Sequence, residues 1–302
     1  MMIMSKSTIA WNGFGKLKSA NELSEYLQRE YEHGGYFHYT SLYTIDSILK
    51  NKTLWVSPVA RLNDNLEKEQ FGNDMDLYFS LCFSTGIHEN LPLWYLYSGI
   101  DGQGGKLSLT KSKVSKLIKN GHYSLSTNNS NVHILDLTDD NFEIYFKDIL
   151  YSAPKKGTKY IDLKYNTMTN HDSITSSEFE HFKKLYGPFI KSLIWFYEKE
   201  TRLLVKLKGN AAEYIRNHPL PSESNEYYVV KLSFSDIPDV VKSIKIGFAP
   251  EIDKLEETIL KYENIRTFVY ENSKVSLSDY QGQIKMSLQE RLCKDCSKKK
   301  GT

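Results

Sequence analysis

The chain has 302 residues, with 39 Lys+Arg against 37 Asp+Glu and a formal net charge of +2. That length allows one large domain or two small ones, and 40% apolar residues with 25% charged ones supply a sizeable core, which excludes wholesale disorder. The balanced charge announces no nucleic-acid partner, and three cysteines exclude a disulfide framework and fit a reducing compartment. No apolar run approaches the roughly 18–20 residues of a membrane span, and the start, MMIMSKSTIAWNGFG, lacks the regions of a signal peptide. A cytoplasmic protein with no membrane association is expected.

In chain order, residues 1–35 read as a helical extension, with a helix over Leu17–Tyr31 stopped by Gly34 and Gly35. Tyr36–Thr40 reads as a strand. A helix follows with Leu42, Ile45, Ile48 and Leu49 on one face, Ser41 as its N-cap and Asn51 as its stop. Thr53–Val56 and Tyr78–Ser84 read as strands, and Gly99–Gly105 as a glycine-rich turn. Residues 106–150 alternate short helix and strand signals, and 151–180 are polar without a sustained period, a loop or an inserted helix. Phe182–Ile194 reads as a connector and Trp195–Leu207 as one long strand. Strands at Tyr227–Phe234 and Val240–Phe248, a helix at Leu255–Tyr262 and a strand at Thr267–Tyr270 follow, then a basic tail over 285–302. Many short strands with few helices predict one α+β domain over 36–284, with insertions.

Five groups of residues carry candidate chemistry. His38-Tyr39-Thr40-Ser41 sits where a strand turns into a helix, an edge with free backbone N–H groups; His38 supplies a donor or acceptor and Tyr39 a flat face. The simpler reading is a satisfied histidine beside a helix cap. In Arg61–Glu67, the Asn-Asp-Asn run suits a turn, and Glu67, three residues after Asp64, suits a capping box more readily than catalysis. Trp94 and Tyr97 share a helical face, as a wall for a planar ring or as ordinary core. Strand alternation puts Glu198, Glu200 and Arg202 on one face. An exposed charge ladder is the plain reading, but the apolar flanks Leu193–Phe196 and Leu203–Val205 place these charges near a core strand. Cys293 and Cys296 supply only half of a tetrahedral zinc site and read as incidental, and no metal is assigned.

The order of the pieces is more specific than any one of them. "YFHYTSLYTIDSILKNKTLWVSPVARLNDNLE", then "LCFS", "LPLWYLYSG", "PFIKSLIWFYEKETRLL" and "VKSIKIG" resemble a bacterial family known as domain of unknown function 2971. The likeness spans Phe37 to about Gly247 and departs from the family pattern at Asn65, where proline is usual, and at Thr201, where an aromatic is usual. That family in turn looks like a divergent branch of the ADP-ribosyltransferase fold. The resemblance implies a split β-sheet core with flanking helices and insertions. It also implies NAD as substrate, with His38 on the adenosine ribose, Ser84 as the middle-strand residue and Trp94 or Tyr97 near the nicotinamide. Tyr39 and Thr40 complete that edge, Glu200 is the catalytic acid, and Glu198 orients or deprotonates the acceptor.

The residue types suit the chemistry. Cleaving the bond to nicotinamide leaves an oxocarbenium-like ribose, which a carboxylate on the 2′-hydroxyl stabilises, while a second carboxylate serves as general base. Arg202 either keeps Glu198 or Glu200 ionised or contacts a phosphate. The expectation is an NAD-dependent ADP-ribosyltransferase of toxin or phage-defence type acting on RNA, DNA or protein, with an antitoxin or other neutralising protein as a further partner. The alternatives are an NAD glycohydrolase with water as acceptor, a non-catalytic module that binds a nucleotide or a protein, and a Mg²⁺-dependent nuclease built on Asp64, Glu67, Glu198 and Glu200.

Overall fold

The computed structural model describes residues 35–86, 89–98, 104–129, 133–152, 187–221, 225–247, 260–272 and 275–277. The expected helix at Leu17–Tyr31, most of the turn at Gly99–Gly105, the polar stretch after Ser152, the start of the helix at Leu255, the basic tail and the Cys293/Cys296 pair lie outside them.

The elements begin with β1 (Tyr36–Ser41), α1 (Leu42–Asn51), β2 (Thr53–Pro58), α2 (Asn65–Lys68), β3 (Tyr78–Thr85) and α3 (Leu91–Tyr97). Next come β4 (Gly104–Leu109), α4 (Lys111–Asn120), β5 (His122–Thr127), β6 (His133–Asp136), β7 (Phe142–Asp148) and β8 (Leu150–Ser152). The chain continues with β9 (Ile190–Ser192), β10 (Glu200–Leu207), α5 (Gly209–Asn217), β11 (Tyr228–Ser233), β12 (Ser243–Ile246), α6 (Glu263–Asn272) and β13 (Val275–Leu277). The architecture is mixed α+β, with a mostly antiparallel, open sheet and a few helices. No helix among the described residues is long and apolar enough to cross a membrane. The described chain divides into two compact units, one holding β1 and the other β10.

The β1 unit takes the described residues of Gly34–Leu54, of Phe83–Gly121 and of the chain after Leu232. β1 runs antiparallel to β4 along its whole length, from Tyr36↔Leu109 to Ser41↔Gly104, and pairs with the end of β3 at Phe37↔Ser84. β12 continues antiparallel on β4, and β13 is parallel to β12. α1 forms as its sequence predicts. The Ser41 hydroxyl accepts the Thr44 N–H at 3.1 Å, and Leu42, Ile45, Ile48 and Leu49 form the buried stripe. From α1, the Asp46 carboxylate accepts the N–H groups of Asn264 and Ile265 at 2.9 and 3.1 Å, a cap supplied from outside to the first turn of α6. α6 overturns the strand expected at Thr267–Tyr270. A β-branched and aromatic run reads as strand in isolation, but Ile265 and Phe268, three apart, are buried together on the helix, among its described side chains.

Gly104 and Gly105 open β4 rather than ending a turn. A β-carbon on Gly104 would fall within 3.0 Å of the Ser98 carbonyl oxygen, and one on Gly105 within 3.0 Å of the Ile45 Cδ1 methyl. Neither position has room for a side chain.

The β10 unit holds Trp55–Cys82 and the described residues of His122–Leu232. β10 pairs antiparallel with β7 from Thr201↔Asp148 to Leu207↔Phe142. Leu203, Leu204, Val205 and Leu207 are all buried, so this strand is covered on both faces and reads as a continuous apolar run rather than an alternation. β8 and β9 form a separate parallel pair, Leu150↔Ile190 to Ser152↔Ser192, and β9 lies within Phe182–Ile194, the stretch expected to be a plain connector. The long strand expected over Trp195–Leu207 is shorter. Leu193–Glu198 is a 3₁₀ turn, Lys199 takes a left-handed conformation (φ 46°, ψ 53°), and the strand starts at Glu200.

Candidate functional site

The β10 unit contains a buried ionic cluster. Its members are Glu67 from α2, Lys191 from β9, Glu198 from the 3₁₀ turn, and Glu200 and Arg202 from β10. Arg202 and Glu67 have no exposed surface, and Lys191, Glu198 and Glu200 have 4–5%. A charge ladder on a solvated face is therefore not what the Glu-Lys-Glu-Thr-Arg run makes.

Backbone geometry explains how both glutamates reach the same place. Glu200 and Arg202 follow strand alternation and share a face, whereas Glu198 lies before the strand. The left-handed turn at Lys199 redirects the chain, and the Glu198 and Glu200 carboxylates meet at one ammonium. Lys191 Nζ donates to Glu198 Oε2 at 2.6 Å and to Glu200 Oε2 at 3.2 Å, stands 3.6 Å from Glu67 Oε2, and lies 4.9 Å from the centre of the Trp195 ring. Arg202 approaches Glu200 Oε1 through both Nε and Nη2 at 2.7 Å, donates from Nη1 to the Pro188 carbonyl at 2.9 Å, and makes a close ion pair with Glu67 Oε1. The Glu200 N–H donates to the Tyr151 hydroxyl at 2.8 Å.

Arg202 serves two carboxylates with opposite results. Burial works against the Glu200 charge, but Arg202, Lys191 and a hydrogen bond from the Cys82 thiol prevail and hold its carboxyl at about 2. Burial dominates at Glu67 and raises it above the ordinary carboxyl range, with Arg202 and Lys191 opposing and the Glu200 charge adding to the rise. Its carboxylate meets two cations, Arg202 in a close ion pair and Lys191 Nζ at 3.6 Å, and these do not outweigh its burial. Desolvation pulls Lys191 down, and the Glu200, Glu67 and Glu198 carboxylates more than restore it, so the ammonium stays charged. Cys82 as a whole keeps partial exposure, but desolvation and the Glu200 charge push its thiol well above the usual value. Burial and the Glu200 and Glu198 carboxylates raise Tyr151.

This arrangement presents one firmly ionised carboxylate, Glu200, and a second, Glu198, two residues away on the same cation. Such a pair suits a developing positive charge beside a proton acceptor. No group of three or more His, Cys, Asp or Glu among the described residues is placed to hold a metal ion.

The other expected residues lie in the β1 unit. Pleating puts Tyr39 and Ser84 on one face of the β1–β3 pair, because Phe37 is opposite Ser84, and puts His38 and Thr40 on the other. His38 is half-buried, with its ring 6.2 Å from that of Phe83. Tyr39 meets Trp94 edge to face at 5.2 Å, and its hydroxyl accepts the Asn90 N–H at 3.1 Å. Trp94 is fully buried and donates its indole N–H to Glu89 Oε2 at 3.2 Å, while Lys245 pairs with Glu89 at 2.6 Å. Tyr97, three residues on, is half-buried. The structure thus unites Tyr39 with Trp94 and separates both from His38 by a strand's thickness.

No family model, curated protein or solved structure matches the chain.

Sequence reasoning missed Lys191, Tyr151 and Cys82, and it read Glu67 first as a cap and otherwise as one of four carboxylates of a nuclease. The signal for Lys191 was present, the one charge in the run Pro188–Ile194, which is otherwise apolar except for Ser192. A charge that interrupts a buried segment asks for a partner. Tyr151 and Cys82 carried no such signal, since each fits a strand as ordinary core.

Proposed function

We propose that the chain is an NAD-dependent ADP-ribosyltransferase of toxin or phage-defence type that modifies a macromolecule. Glu200 stabilises the oxocarbenium-like ribose as nicotinamide leaves, and Glu198 takes the proton from the acceptor. The observation that carries this reading is the pairing of an ionised Glu200 at the start of β10 with Glu198 two residues earlier, both on Lys191. The order of motifs between Phe37 and Gly247 adds the resemblance to the ADP-ribosyltransferase fold. The assignment of His38, Tyr39, Thr40, Ser84, Trp94 and Tyr97 to NAD rests on that resemblance alone.

A second reading has its own support. Glu198 and Glu200 are each only 4% exposed, which suits a structural cluster inside a module that binds a nucleotide or a protein without turnover. Purified protein with labelled NAD, incubated with lysate separated into RNA, DNA and protein, decides between the two, with Glu200→Gln run beside it and its thermal midpoint checked. Label in one fraction, lost in the folded variant, supports the transferase and names the acceptor class. Free ADP-ribose alone points to an NAD glycohydrolase. Absence of nicotinamide release from every mixture overturns both enzymatic readings and leaves the binding module.

A further inference from the structure

A lysine inside a three-residue strand, next to the fully buried Ile190 and the 2%-exposed Phe189, is an expensive choice. Desolvating an ammonium is costly, and a well-packed apolar side chain of similar volume is often at least as stabilising as a buried ion pair. Packing alone does not call for lysine here. The geometry does. Of the described cations, Lys191 is the one that hydrogen-bonds both glutamates of the Glu198-Lys199-Glu200 run. Arg202 meets Glu200 and Glu67 instead, through a planar fork that the Pro188 carbonyl holds in place. A tetrahedral ammonium with rotatable donors reaches Glu198 from the turn and Glu200 from the strand together, whereas the Arg202 fork is already committed to Glu200, Glu67 and the Pro188 carbonyl.

We propose that Lys191 is the positioning residue of this site, its ammonium holding Glu198 and Glu200 at a fixed separation so that one stabilises cation while the other takes the proton. This rests on the transferase reading for its chemistry. Lys191 acts through the two carboxylates and itself touches neither NAD nor acceptor. The groups facing the ammonium are Glu67, Glu198, Glu200 and the Trp195 ring, with Arg202 behind Glu200 and the Cys82 thiol and Tyr151 hydroxyl beside it.

The test compares Lys191→Met and Lys191→Arg with the wild type by two readouts. One is nicotinamide release resolved into kcat and KM; the other is the pH titration of the Glu200 carboxyl, followed by carbon-13 labelling of glutamate with Glu200→Gln for assignment. In Lys191→Met, kcat falls about a hundredfold with KM within about threefold, the pattern of a lost transition-state interaction. The Glu200 titration moves up by about one pH unit or more. Lys191→Arg keeps the charge and restores most of the titration but only part of kcat, because the fork does not reproduce the bridge. An unchanged Glu200 titration in Lys191→Met overturns the proposal, and so does full kcat in that variant. If the wild type releases no nicotinamide, the transferase reading fails, and the carboxyl titration still decides whether Lys191 holds the pair. If Lys191→Met does not fold, Lys191→Arg decides: wild-type kcat there shows that any buried cation suffices and overturns the bridging role.

Discussion

Arg202→Met removes the guanidinium and keeps much of the side-chain length. The structure sets the size of the effect. Glu200 is held at about 2 against its own burial, with Arg202 the largest of the groups that lower it and Lys191 and the Cys82 thiol assisting, so removing the guanidinium leaves a buried carboxylate without its main counter-charge. Breaking a buried pair from one side costs about 3–5 kcal/mol by measured precedent, because the abandoned charge stays desolvated. A loss of about 3–5 kcal/mol at pH 7 is expected, a large share of the roughly 5–15 kcal/mol that a domain has. The sign with pH follows from the two shifts. In the wild type, the depressed Glu200 contributes stability that is present above 4.5 and lost as the pH falls through about 2. Glu67, raised by burial, runs oppositely: its contribution is complete below 4.5 and is lost as the pH rises through its folded value. Without Arg202, burial governs Glu200 as well, and acid relieves the strain by protonating it. Urea unfolding followed by tryptophan fluorescence at pH 7 and pH 4 is the assay, and the difference between variant and wild type shrinks by about half or more at the lower pH. A loss under about 1 kcal/mol at pH 7, the value of an exposed ion pair, refutes the reasoning, as does an equal loss at both pH values.

Trp94→Phe keeps an aromatic ring against Tyr39 but removes the indole N–H that Glu89 accepts. The expected loss is about 1–3 kcal/mol by thermal or urea unfolding, and a neutral result shows that Glu89 does not depend on the indole N–H. Ser41→Ala removes the N-cap of α1 and costs about 1 kcal/mol, whereas Ser41→Asp, which retains an acceptor, stays within a few tenths of the wild type in the same measurement.

The sequence was most legible where one local rule acted alone. Ser41 as cap with Leu42, Ile45, Ile48 and Leu49 as stripe predicts α1 correctly, because the cap and the 3.6-residue period agree. The strands at Tyr36 and Tyr78 were legible for the same reason, with turn signals and β-formers coinciding. Reading failed where tertiary contacts overrode propensity. At Thr267–Tyr270, the helix forms with its N-terminus capped by Asp46, a residue 218 positions away from Asn264. At Leu193–Glu198 the apolar run is a turn, because the left-handed Lys199 breaks the strand at a point that no glycine or proline marks. The candidate site was half legible. Glu198, Glu200 and Arg202 stood together in the sequence, but their counter-charges Glu67 and Lys191 come from other segments, and only folding shows that the run is buried.

The two adjacent glycines of β4 face obstacles of different kinds. What blocks a side chain at Gly105 is chiefly the tip of Ile45, and trimming that tip with Ile45→Val frees space, although the Lys245 carbonyl at 3.2 Å still leaves a tight fit. At Gly104 the obstacle is the main chain of Ser98, which no substitution can shorten. Position 105 is therefore open to exchange through a compensating partner, while position 104 has no partner with which to trade. Drift in this sequence, natural or directed, has a two-step route past the second glycine and none past the first.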